Sequence, residues 1–129
     1  MPENRTPPAP SRTVHTVDGT TFVTLHGEID LLAATPLAAH LDALTSGPGP
    51  DLVLDLRPVS FIDCAGLAVL CRVRSRARAR HGRLRLLTGS GRFLRILRAA
   101  GLGGVFEIQT EPSPADTAAP TSQPSATMG

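Results

Sequence analysis

The sequence predicts an α/β domain built on a mixed, mostly parallel sheet of about five strands flanked by three or more helices. Three observations carry that expectation. The hydrophobic period switches between two and about 3.6 several times along the middle of the chain. The run Leu52-Val53-Leu54-Asp55-Leu56 is nearly continuously apolar, as a covered, central strand must be. Asp18-Gly19 separates two β-prone runs and readily takes the positive φ angles of a tight hairpin, so the sheet opens with an antiparallel pair.

The elements come in order. Residues 14–17 and 21–26 form the hairpin strands. After Gly27-Glu28-Ile29-Asp30, Thr35-Pro36 reads as an N-cap followed by proline at the first helical position. Leu37, Leu41 and Leu44 then recur at helical spacing, and Ser46-Gly47-Pro48 stops the helix. The strand at residues 52–56 and a Phe61-Ile62-Asp63 turn lead to a second helix from near Cys64 to His81, with Gly82 as its stop. Leu67, Leu70, Val73 and Ala77 mark its apolar face, with Arg72, Arg76 and Arg80 on another. Residues 83–87 alternate as a strand. Ser90 is placed to cap a third helix carrying Phe93, Ile96, Leu97 and Ala100, which Gly101 ends, and residues 105–108 supply a last short strand. The order ββαβαβαβ implies right-handed crossovers, with functional residues at the carboxyl ends of the strands.

Outside this core the composition changes. Residues 1–12 contain four prolines and little to bury, and residues 111–129 are rich in Pro, Ser, Thr and Ala. Such segments do not offset their ordering entropy by burial, so both are expected to be disordered tails around one domain at residues 13–110. A chain of 129 residues has no room for a two-lobed enzyme.

Every one of the 13 basic residues is Arg. The net charge of +2 conceals a division: −5 over residues 1–70, +9 over residues 71–110 and −2 beyond. The basic stretch invites a nucleic-acid reading, but its helix carries no aromatic stacking residue, and Arg74 and Arg78 lie off the Arg72, Arg76, Arg80 face. A solvated helix surface accounts for it, and no direct nucleic-acid partner is expected. No run approaches the roughly 18 apolar residues of a membrane span, and no basic-then-apolar leader opens the chain, so no membrane insertion and a cytoplasmic location are expected. Cys64 and Cys71 do not make a disulfide framework. His15, His26, His40 and His81 show no metal-ligand spacing, no phosphate-cradling glycine loop occurs, and no nucleophile and base are paired; neither metal, cofactor nor enzymatic activity is expected.

The richest strand-to-helix handover is Ser60-Phe61-Ile62-Asp63-Cys64-Ala65-Gly66. Asp63 is suited to cap the helix, and that alone explains an Asp in this place. The segment from Asp51 to Leu70, DLVLDLRPVSFIDCAGLAVL, nevertheless resembles the marker of the STAS family, and especially its anti-sigma factor antagonists: a hydrophobic strand ending in Asp-Leu, then a Phe-x-Asp-Ser-x-Gly-Leu turn opening a helix. Gly27-Glu28-Ile29-Asp30 with Thr35 is similar to the family's second marker, and Gly101-Leu102 followed by Phe106 to its usual ending. The resemblance spans the whole core in the right order.

The resemblance implies a STAS-like single domain that binds a serine-kinase-like anti-sigma factor and displaces the sigma factor held there. It places the partner surface at Asp30, Asp63, Cys64, Ala65, Gly66 and Leu67. The family's partner silences the antagonist by phosphorylating the serine after the Asp, adding roughly −1.5 to −2 charges. That serine is Cys64 here and Ala65 comes next, so the motif offers no hydroxyl to a Ser/Thr kinase. Two versions are open: an antagonist that phosphorylation does not silence, or a relative under some other control. A thiol at a helix start can be reactive, but Asp63 opposes the thiolate and Cys71 is two turns away, so Cys64 reads as a small residue standing in for serine. The resemblance also allows an accessory subunit of a membrane transporter.

Overall fold

The computed structural model describes residues 12–89 and 91–110. The chain runs β1 (Arg12–Val17), β2 (Thr20–Leu25), β3 (Gly27–Ile29), α1 (Leu31–Leu44), β4 (Asp51–Asp55), β5 (Val59–Ile62), α2 (Cys64–Ala79), β6 (Arg83–Leu87), α3 (Gly91–Ala99) and β7 (Glu107–Gln109). The main sheet has the order β1-β2-β4-β6-β7. Only β1 is antiparallel to its neighbour; β2, β4, β6 and β7 run parallel. This is the mixed, mostly parallel five-stranded sheet with three helices that the sequence predicts. The hairpin turn takes the two positive φ angles expected of it, 51° at Asp18 and 84° at Gly19.

Alternation along the central strands divides the apolar residues between two faces. Val23, Leu25, Leu52, Leu54 and Leu86 pack with Leu37 and Leu41 of α1, Leu70 and Val73 of α2 and Leu97 of α3 in one continuous core. Phe22, Val53 and Leu87 form a smaller cluster from the intervening positions. The two longer helices are also tied by charge. Arg72 places both guanidinium bonds on Asp42 at 2.9 and 2.8 Å, and Arg76 reaches the same carboxylate at 3.2 Å and the Thr45 hydroxyl at 3.0 Å. Arg83 and Arg85 pair with Glu107 and Asp51. Among the described residues, four of the ten arginines of the basic stretch are therefore paired with carboxylates of the same domain.

Several boundaries differ from expectation. Helix α1 begins at Leu31 with Asp30 as its cap, and Pro36 lies in its sixth position. Proline there removes a hydrogen bond to the carbonyl four residues earlier. That carbonyl belongs to Leu32, a residue that is 86% exposed. The Gly27-Glu28-Ile29 and Phe61-Ile62 segments are not simple turns but belong to the two strands of a second, parallel sheet, β3-β5. Helix α2 ends at Ala79, and His81, not Gly82, takes the left-handed φ of 59°. Gly82 instead lies so close to Pro50 that a Cβ would come within 2.1 Å of its carbonyl oxygen. The last strand covers Glu107–Gln109. Arg12, expected in the N-terminal tail, opens β1; the rest of both expected tails, and Ser90 with its expected capping role, lie outside the described residues.

Candidate functional site

The second sheet brings two helix starts side by side. β3 and β5 pair in parallel with Ile29 opposite Ile62, and each strand ends in an Ile that is followed by an Asp and then a helix. Gly27 donates its N–H to the Pro58 carbonyl at 3.3 Å, in a backbone conformation (φ 87°) that suits glycine. At the other end of the pair the Asp63 N–H donates to the Ile29 carbonyl at 3.2 Å.

The two caps are alike. The Asp30 carboxylate accepts from the Ala33 N–H at 3.1 Å and that of Asp63 from the Gly66 N–H at 3.0 Å. Each satisfies one of the donors left unpaired in the first turn of a helix and places negative charge at the positive end of its dipole. Neither first turn contains another acidic residue.

Beyond the caps the two starts diverge. Cys64, the first residue of α2, is exposed, and Ala65 is half-buried. Gly66 is buried against β3: a Cβ there would lie 2.6 Å from the Ile29 carbonyl oxygen and 2.6 Å from Ile62 Cγ1. Leu67 is buried and belongs to the core. Of the six residues expected at a partner surface, Asp30, Asp63, Cys64 and Ala65 thus lie at or near the surface, while Gly66 and Leu67 support it from below. Both cysteines are free thiols.

Three apolar side chains complete the site. Leu31 and Leu32 in the first turn of α1 are 72% and 86% exposed, and Phe61 of β5 is 50% exposed. The sequence does hold a signal for this arrangement, the dipeptide Ile-Asp occurring at both 29–30 and 62–63. Among the described residues no cluster of three or more His, Cys, Asp or Glu side chains is placed to hold a metal, and no helix is long and apolar enough to cross a membrane.

Comparison with known proteins meets this geometry. The family profile described as "Mlab, STAS domain" matches residues 13–109. An anti-sigma-B factor antagonist of Bacillus subtilis (strain 168) is 32% identical over 89 residues, covering 69% of this chain and 81% of the relative. The chain belongs to the STAS-domain anti-sigma factor antagonist family. Among solved structures of this fold, an anti-sigma factor antagonist from Mycobacterium paratuberculosis superposes with a TM-score of 0.72 at 27% identity, covering 84% of this chain and 92% of that one. The phosphorylated form of the Bacillus cell fate determinant SpoIIAA superposes at 0.60, with 23% identity over 78% of this chain and 93% of its own, a likeness of fold.

Proposed function

We propose that this chain is a cytoplasmic antagonist that binds a serine-kinase-like anti-sigma factor through the paired starts of α1 and α2 and so frees the sigma factor held by that partner. The observation that carries the reading is the pairing of Asp63, fixed as a cap on the STAS motif, with an exposed Cys64 and a rim of exposed Leu31, Leu32 and Phe61. Asp30, Asp63, Cys64 and Ala65 form the contact surface in this reading, with Gly66 and Leu67 holding it in place.

Cys64 occupies the position at which the family carries its phosphorylated serine, and a thiol is not the acceptor that a Ser/Thr kinase uses. The chain therefore stays competent to bind while ATP and the partner are both present. Its folded unit for this role is residues 13–110 together with Arg12, which opens β1.

The test is to incubate the purified chain with an anti-sigma factor kinase of the same genome and ATP, following complex formation and phosphate incorporation together. A stable complex without phosphate on the chain is expected, and Cys64→Ser should create a phosphorylated, weakly binding form. Phosphate on wild-type Cys64 or on Ser60 overturns the unswitched version; absence of any complex overturns the antagonist reading itself.

A further inference from the structure

Phe61 also faces a second feature. A cavity of about 380 Å³ opens between β5, the segment after β6 and α3, within the size range of clefts that hold small ligands or groups of side chains. Its walls include Val59, Phe61, Phe93 and Ile96, its rim Arg92 and also Arg57, which is already paired with Asp55 at 2.8 Å, and Thr88 contributes to the lining.

Its electrostatics are opposite to those of the helix caps. Among the described residues no acidic side chain lines the cavity. Arg92 is held over it by donating to the Ser60 carbonyl at 3.1 Å, and among the described residues it meets no carboxylate. Arg95 and Arg98 continue the row along α3, exposed and likewise outside every ion pair of the described residues. The Thr88 hydroxyl is buried, the residue being 2% exposed, and has no hydrogen-bond partner among the described residues. Such an orphaned group is costly unless something fills its need. The caps on the other side of β5 present Asp30, Asp63 and the exposed Glu28. The surface is thus bipolar, negative at the caps and positive at the cavity, with half-exposed Phe61 between.

We propose that this cavity is a second docking point for the same anti-sigma factor and receives an acidic, apolar segment of it: an apolar side chain seated against Phe61 and Phe93, and an Asp or Glu carboxylate paired with Arg92. Charge complementarity selects an acidic segment, and continuity with the cap surface through β5 makes one partner sufficient for both points. Two points of opposite sign also fix the orientation in which the partner lands. The inference rests on the partner being an anti-sigma factor.

Calorimetric titration of the full chain with a purified anti-sigma factor of the same genome, at two salt concentrations, tests it. Arg92→Glu should weaken binding about tenfold or more and reduce the salt dependence, Arg92→Lys should keep most of the affinity, and both should melt with the wild type, since Arg92 is exposed. A photo-crosslinking residue in place of Phe93 should capture a partner segment rich in Asp or Glu. Wild-type binding that Arg92→Glu leaves unchanged, or a crosslink to a basic segment, overturns the cavity assignment alone. If the wild type binds no anti-sigma factor, both this inference and the antagonist reading fall.

Discussion

Asp30 and Asp63 cap their helices with the same backbone geometry, φ −109° and ψ −172° against φ −108° and ψ −171°, yet the first turns they open are built differently. α1 begins with two leucines in water and Ala33 in the third position; α2 begins with Cys64, Ala65 and a Gly66 pressed against the backbone of β3. One start is a sticky edge and the other a seated one. The difference teaches that a cap sets where a helix begins, while the three residues after it decide whether that beginning is anchored in the core or left in water.

Exchanging those third residues separates the two starts most sharply. Gly66→Val must displace Ile29 or Ile62, and a loss of about 2–4 kcal/mol is expected in urea unfolding. Ala33→Gly on α1 should cost only about 0.5–1 kcal/mol, the ordinary helix penalty of glycine. Similar losses for the two would mean that α2 is not seated as described.

The caps themselves should behave as equals in stability. Asp30→Ala and Asp63→Ala are each expected to cost about 1 kcal/mol, and thermal or urea melts of the two variants should nearly coincide. A much larger loss for one would break the equivalence that their shared geometry implies.

Exposed positions should divide binding from folding. Leu31→Ser and Leu32→Ser remove apolar area already in water, so stability should stay within about 0.5 kcal/mol, while anti-sigma factor affinity falls by about 1–2 kcal/mol each. Cys64→Ser should leave both nearly unchanged until ATP is added.

The smallest effect lies in the body of α1. His40 accepts a hydrogen bond from Arg12 at its Nδ1, and its pKa is lowered from the usual 6.5, first by burial and then by the Arg12 charge. The unfolded chain takes up a proton there more readily than the folded one, so stability is full above about pH 6.5 and declines as pH falls below it. A shallow loss in urea midpoints between about pH 7.5 and 5.5, flattened in His40→Gln, is the expected result.

Much of this was legible in the residues. The hairpin, the central strand and the α2 cap all come from local chemistry, and the main sheet from their order. The start of α1 did not, because Thr35-Pro36 imitates a cap and first position as well as Asp30 does. The deciding factor is nonlocal: β3 pairs with a strand some 30 residues on, and that pairing puts Asp30 beside Asp63. Strands of three and four residues carry no readable period, so β3 and β5 escape a search for alternation. Gly66 was visible as a motif residue, but the contact that demands it, the Ile29 carbonyl, belongs to another element. The cavity beside α3 is assembled from β5, the β6 end and α3, and no single stretch of sequence announces it.

Asp42 holds two arginines of α2, and it lies eleven residues beyond the first residue of α1, about 17 Å along the axis at 1.5 Å per residue. Arg72 and Arg76 lie in the middle and last third of α2, so this carboxylate joins the two helices away from their starts, while the β3–β5 pairing and the Asp63 N–H on the Ile29 carbonyl tie the starts to each other. A drift from Asp42 to Asn in some descendant would hardly register in a melting curve, since the ion pairs are open to solvent. The two starts would keep their mutual setting, because the strand pairing beneath them carries it, so a lineage could lose the clasp and still present the same surface.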